Sequence, residues 1–221
     1  TITWNYAAGT ETVKGFAEAF EKGGGSVVKN LSLPFPNVEF QALLTEIASQ
    51  KPDVVFAFFA GGGAVKFVKD YDAAGLKKSV PLFGSGFLTD GTLEAQGAAA
   101  QGLQTTLHYA DSLDIPKNNA FRKSFALTYK QNADVYAVQG YDAAQLLAAG
   151  LNAVKGDMGK RDAMLGAMRK ATVDSPRGKF TLSAAGNPVQ DMYLREAKGP
   201  NNEYRSVAVK ALADPARGCK L

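Results

Sequence analysis

The sequence predicts an α/β protein, built as one doubly wound parallel-sheet lobe followed by helices of a different character. Three observations predict it. Strand-like and helix-like segments alternate through the first 110 residues or so, the pattern of βαβ crossovers. Val54-Val55-Phe56-Ala57-Phe58-Phe59 is apolar on both alternating faces, as a central strand covered by helices on each side must be. After Asp111 the alternation stops, and one long segment, Ala137 to Val154, is apolar around most of its circumference. The 221 residues suit one large domain or one and a half small ones, at about 150 residues per domain.

The elements follow in order. Thr1 to Asn5 reads as a strand, and after the Tyr6-Ala7-Ala8-Gly9 turn Thr10 is expected to cap a helix with Val13, Phe16, Ala17 and Phe20 on one face. Gly23-Gly24-Gly25 ends it. Ser26 to Leu33 is a second strand, Pro34-Phe35-Pro36 a break, and Asn37 the expected cap of a helix facing inward through Phe40, Leu43, Leu44 and Ile47. The central strand is followed by the Ala60-Gly61-Gly62-Gly63 loop and a helix carrying Ala64, Phe67, Val68 and Tyr71. Pro81 to Gly84 is the fourth strand; a weak helix near Leu93 leads to a fifth, Gly102 to Tyr109. Asn119 to Asn132 is an amphipathic helix presenting Phe121, Phe125 and Tyr129. A short helix with Met164, Leu165 and Met168 follows the long apolar one. Ser175-Pro176-Arg177-Gly178 then turns into a hairpin of Lys179–Leu182 and Met192–Leu194, and Ser206 to Lys210 adds a strand.

Composition removes several classes. With 46% hydrophobic residues and one Cys, the chain is neither disordered nor a disulfide scaffold. The net charge of +4 comes from 25 basic residues interspersed with 21 acidic ones, so no basic tract marks a nucleic-acid surface. No run of 18 apolar residues is long enough to span a bilayer. One His and one Cys cannot supply a usual zinc ligand set, and no metal is expected. Cys219 is either a free thiol or the partner of a cysteine outside this chain.

Catalytic constellations are weak. Gly61-x-Gly63 is followed by Lys66 where a dinucleotide fingerprint needs Gly or Ala, and no acidic residue closes a second strand about 20 positions on. His108 is the only imidazole, and the Gly84-Ser85-Gly86 serine lies in no nucleophile elbow. No catalytic residue and no cofactor is assigned. What remains is a set of loops at the carboxyl ends of parallel strands, where open α/β sheets bind ligands: Tyr6–Gly9, Phe59–Gly63 and Gly84–Phe87. The first two run into helix N-termini, whose free N–H groups favour an anion. Trp4, Tyr6, Phe59 and Phe87 suit an aromatic body. From spacing alone these aromatics read equally well as core and the glycines as turns.

Five segments carry a family resemblance: Trp4-Asn5-Tyr6-Ala7-Ala8-Gly9, Lys51-Pro52-Asp53-Val54-Val55-Phe56, Gly84-Ser85-Gly86-Phe87-Leu88-Thr89-Asp90, Val135-Tyr136-Ala137-Val138-Gln139-Gly140-Tyr141-Asp142-Ala143-Ala144 and Ser175-Pro176-Arg177-Gly178. In this order they resemble the branched-chain amino-acid (Leu/Ile/Val) type of periplasmic solute-binding protein. The resemblance implies a type I periplasmic binding fold, capture of a solute between two lobes, delivery to the membrane subunits of an ABC importer, a periplasmic location and no catalytic residues. It also implies that the chain is the C-terminal portion of such a protein. Residues 1–112 would then be the second ligand-binding lobe, 113–172 helices of the other lobe, and 173–221 a returning β-hairpin with a C-terminal strand and tail. The missing N-terminal lobe, or a second copy of the chain, would cover the apolar helix.

By the same resemblance Tyr6, Phe59, Ala60, Gly61, Gly86 and Phe87 form one wall of the ligand site, with Tyr109 near a crossover. Amino-acid-binding relatives hold the substrate ammonium with an acidic side chain in the loop that here reads Gly84-Ser85-Gly86-Phe87. The expected ligand is therefore a carboxylate without an α-amino group, of benzoate or phenylpropanoid type. The rival readings are an effector-binding domain of a regulator or receptor with the same fold, and a nucleotide-dependent α/β enzyme.

Overall fold

A computed structural model describes residues 1–213 of the chain, so Cys219 lies outside the described residues. Two compact units are present: Thr1–Leu107 with Leu194–Glu203, and His108–Tyr193 with the described residues from Tyr204 on.

The first unit is the doubly wound lobe. It runs β1 (Ile2–Asn5), α1 (Ala7–Lys22), β2 (Leu31–Pro34), α2 (Gln41–Gln50), β3 (Val55–Phe58), α3 (Gly61–Ala73), β4 (Leu82–Ser85), a one-turn α4 (Leu93–Gln96) and β5 (Gln104–Leu107). The strands are parallel in the order β2-β1-β3-β4-β5. Trp4 stands opposite Leu33, Thr3 opposite Phe58, Phe56 opposite Phe83, and Ser85 opposite Thr106. The order reverses between β1 and β3, the switch point at whose carboxyl edge such sheets open a crevice.

Strand alternation divides the aromatic run of β3. Ala57 and Phe59 enter the core on the α2–α3 side, where Phe59 has no exposed surface and its ring lies 5.1 Å from Phe40 and 4.7 Å from Phe67. Phe56 goes the other way and stacks on Phe16 of α1 at 4.1 Å. Two glycines let helices seat on the sheet. A Cβ at Gly9 would stand 2.3 Å from the Trp4 carbonyl oxygen, and one at Gly63 would stand 2.2 Å from the Trp4 ring. Packing of α3 on Trp4 therefore accounts for Gly63 without a nucleotide.

The second unit holds α5 (Pro116–Tyr129), α6 (Val135–Ala153), α7 (Arg161–Lys170) and β6 (Thr181–Leu182). Pro116 opens α5 where a missing N–H costs nothing, and the Asp134 carboxylate caps α6 by accepting from the Ala137 N–H at 3.0 Å. Met164 and Met168 of α7 close over Gly150, where a Cβ would stand 2.7 Å from Met168. The buried Arg177 guanidinium donates to Asp142 at 2.8 Å and lies over the Phe180 ring. Strands β7 (Pro188–Lys198) and β8 (Asn201–Leu212) pair with each other, and each passes through both units.

Several boundaries differ from expectation for identifiable reasons. Helix α1 starts at Ala7 because the Thr10 hydroxyl bonds back to the Tyr6 carbonyl at 3.1 Å instead of capping forward. Asn37 makes a local turn, accepting from the Glu39 N–H, and α2 begins four residues later. Strand β2 is confined to Leu31–Pro34, the residues that pair with β1. The first unit ends at Leu107, and only Leu194–Glu203 of the later chain rejoins it. Ala197 there exchanges hydrogen bonds with Gly102 and Leu103 beside β5. The long helix α6 is less enclosed than its composition suggested: Ala143, Ala144, Leu147 and Ala148 are exposed, Leu147 by 45%.

Candidate functional site

The carboxyl edge of the first unit's sheet carries an aromatic wall. Tyr6 ends the β1 turn as the N-cap of α1, and its ring stacks on Phe35 at 5.3 Å with an interplanar angle of 25°. Phe58 at the end of β3 lies 6.3 Å from Tyr6 and 6.4 Å from Phe87, which it meets edge-on. Trp4 supports the group from within, 5.1 Å from Phe35 and from Phe59, with its indole N–H donating to the Asn37 carbonyl at 2.7 Å. Phe35 is 56% exposed and Tyr6 and Phe87 are half-buried, so the wall presents ring surface outward from a fixed base.

Polar groups on this edge are mostly backbone. Tyr6 and Ala60, the N-caps of α1 and α3, are both extended, with no side chain capping either helix start and no acidic residue in either first turn. Their unpaired N–H groups and dipoles make this rim electropositive. Gly61 takes a left-handed backbone (φ 54°) and a Cβ there would meet nothing within 4 Å, so the start of α3 is open. Burial raises the Tyr6 phenol above its ordinary value, which keeps it a neutral hydrogen-bond donor at physiological pH. A separate cavity of about 470 Å³ lies at the opposite edge among Phe16, Phe20, Phe56 and the last turns of α1 and α2. The helix ends there are C-terminal and electronegative, the reverse of the α1 and α3 starts.

The third loop is rigid. Gly86 is buried, and its carbonyl accepts from the Arg195 guanidinium at 3.0 Å and from the Thr89 and Asp90 N–H groups at 3.1 and 3.0 Å. Asp90 is the loop's acidic side chain, and it is buried in an ion pair with Arg195.

The expected site residues therefore separate. Tyr6, Ala60, Gly61, Gly86 and Phe87 come together on one edge of one unit. Phe59 is enclosed in the core, because alternation turns Phe58 toward Tyr6 and Phe87 instead. Tyr109 lies in the other unit, fully buried, its hydroxyl donating to Asn118 at 2.9 Å and accepting from Arg122 at 3.2 Å. Phe35 and Phe58, outside the expected set, share this edge through their ring contacts with Tyr6. Phase along β3 could have found Phe58, and a phenylalanine between two prolines, unable to join a helix or ladder, could have flagged Phe35.

A model of the periplasmic binding protein family matches residues 1–203. The chain belongs to that family. The Leu/Ile/Val-binding protein homolog 6 of Brucella melitensis is 31% identical over 213 residues, covering 92% of this chain and 54% of the relative. This periplasmic binding protein chain thus spans about half the length of the curated relatives it matches. Among solved structures, an ABC-transporter solute-binding protein from R. palustris in complex with benzoate is 56% identical with a TM-score of 0.96 over all of this chain and 61% of its own. One from Rhodopseudomonas palustris HaA2 in complex with p-hydroxybenzoic acid is 28% identical, with a TM-score of 0.90 over 98% of this chain and 61% of its own. The mixed α/β architecture with its mainly parallel sheet is that of these type I neighbours. The family is one of solute-binding proteins rather than enzymes. Among the described residues no helix is long and apolar enough to cross a membrane, and no group of three or more His, Cys, Asp or Glu gathers to hold a metal.

Proposed function

We propose that this chain supplies one wall of an extracytoplasmic solute-binding protein that captures an aromatic carboxylate, of benzoate or hydroxybenzoate class, for an ABC importer. The carrying observation is the third loop. The loops Tyr6–Gly9, Phe59–Gly63 and Gly84–Phe87 contain no acidic side chain, and the carboxylate just beyond, Asp90, is buried against Arg195. A ligand ammonium thus meets no counter-charge on these loops, while a ring meets Tyr6, Phe35 and Phe87, backed by the buried Phe58, and a carboxylate meets an electropositive rim. The benzoate and p-hydroxybenzoate found in the two neighbours support the same class.

Closure would come from a companion lobe outside this sequence, in a hinge motion that traps the solute. The second unit offers a face for such a lobe, or for a second copy of the chain. A groove of about 600 Å³ runs between α5 and α6, lined by Phe121, Phe125, Tyr129 and Tyr141, and Leu147 is exposed beyond it. A periplasmic location and docking on importer membrane subunits belong to the same reading. Calorimetric titration of the full-length protein tests it: benzoate or 4-hydroxybenzoate is expected to bind more tightly than leucine, and the reverse order would overturn the proposal.

A further inference from the structure

Arg195 is the largest fully buried side chain in the described chain, with no exposed surface, and it arrives from β7, more than 100 residues after the loop it touches. Its guanidinium donates to the Asp90 carboxylate, to the Gly86 carbonyl at 3.0 Å and to the Thr105 hydroxyl at 3.0 Å. Asn202, from the same β7–β8 segment, accepts from the Thr89 hydroxyl at 2.6 Å. The segment Leu194–Glu203 thus grips the β4 loop at Gly86, Thr89 and Asp90. Phe87 is the residue in that span whose side chain stands on the wall.

Gly86 has no room for a Cβ, which would fall 2.5 Å from Leu107 and 2.8 Å from the Arg195 guanidinium, so arginine and loop backbone are fitted to each other. A planar fork bonded to a carbonyl, a hydroxyl and a carboxylate fixes orientation in a way a lysine point charge cannot. We propose that Arg195 is a positioning residue of the binding wall, holding the Gly86–Asp90 turn from beneath so that the Phe87 ring stands edge-on to Phe58 and ready for an aromatic ligand. The proposal rests on the wall reading above and adds to it the device that sets the wall's shape. Affinity at the ring should then depend on buried residues that touch no ligand.

A double-mutant cycle in the full-length protein, titrated with benzoate, tests this. Thr105→Val and Arg195→Lys are each expected to weaken benzoate binding by about five- to tenfold, whereas in a Phe87→Ala background the same changes should cost less than about twofold, since coupled sites are non-additive. A purely structural role would give the same fold-loss in both backgrounds and would overturn the proposal. Amide hydrogen exchange supplies a readout that needs no ligand: Gly86–Asp90 should exchange faster in both variants while Tyr6–Gly9 does not change, and unchanged exchange at Gly86–Asp90 would also overturn it. Should the wild-type protein fail to bind benzoate, the aromatic-acid reading falls and the ligand part of this proposal with it, while the exchange result still tests whether Arg195 holds the Gly86–Asp90 turn. Thr105→Val keeps the Arg195–Asp90 pair, so it decides the matter if Arg195→Lys does not fold.

Discussion

The two units bury their apolar residues in different ways. In the first, Phe40, Phe59 and Phe67 meet ring against ring between the sheet and two helices, and Phe35 on the carboxyl edge is the most exposed aromatic. In the second, α7 has no buried residue, and α6, apolar nearly all round, buries Val135, Val138, Asp142 and Gly150 while leaving Leu147 and Tyr136 exposed. Its buried groups include polar ones, Asn118 and the Asp142–Arg177 pair. The first unit is organised by its own hydrophobic core. Both units hold a buried ion pair, Asp90–Arg195 in the first and Asp142–Arg177 in the second, so what sets the second apart is the apolar surface that α6 leaves exposed.

The largest expected effect lies in the core of the first unit. Phe59→Ala removes a ring with no exposed surface and leaves a cavity between Phe40 and Phe67. Unfolding in urea should show a loss of about 3–5 kcal/mol. Because Phe59 stands behind the wall, the stability loss is the primary defect, unlike that expected of Phe58. A loss under about 1 kcal/mol would mean that the core is less self-contained than its packing indicates.

Gly63→Ala should come next. The added methyl meets the Trp4 ring at 2.2 Å, so α3 or the indole must shift, at about 1–3 kcal/mol for overpacking. Trp4 is the chain's only tryptophan and supports Tyr6 and Phe35, so its fluorescence should move with the stability change. An unchanged emission spectrum with unchanged stability would remove the packing explanation for this glycine.

The sheet and the placement of the wall were legible in the sequence for physical reasons. Alternating apolar runs and glycine punctuation report local periodicity, and Tyr6, Ala60, Gly61 and Phe87 sit where the chain must leave a parallel strand. Which ring faces which way was less legible. Phe58 and Phe59 are chemically identical, and only the strand's phase, set by pairing Thr3 with Phe58, separates a wall residue from a core residue. Arg195 was invisible because its partners, Gly86, Asp90 and Thr105, lie 90 or more residues away, and sequence spacing carries no signal over that distance. Tyr109, expected at the site from its place near a crossover, is closed off by Asn118 and Arg122, which bond its hydroxyl from positions that strand periodicity does not report.

A smaller effect should mark the second unit's dependence on caps. Asp134→Ala removes the acceptor for the Ala137 N–H at the start of α6 and should cost about 1 kcal/mol. The Asn variant, which can still accept that bond, should cost a few tenths at most. Equal losses for both would assign the effect to charge at the helix N-terminus instead of the hydrogen bond.

The smallest effect sharpens the comparison most. Leu147→Gln on the exposed face of α6 should change the stability of the 221-residue chain by no more than about 0.5 kcal/mol, as for surface positions generally. In the full-length protein the same substitution should cost more, because a leucine covered by a companion lobe gains about 1.5–3 kcal/mol from burial that glutamine forfeits. Thermal denaturation of the pair in both contexts separates two origins for the open face. A difference between contexts means that α6 is a lobe component held here without its partner. The same small change in both means that α6 faces solvent in the complete protein, and that the contrast between the two units is a property of the mature fold.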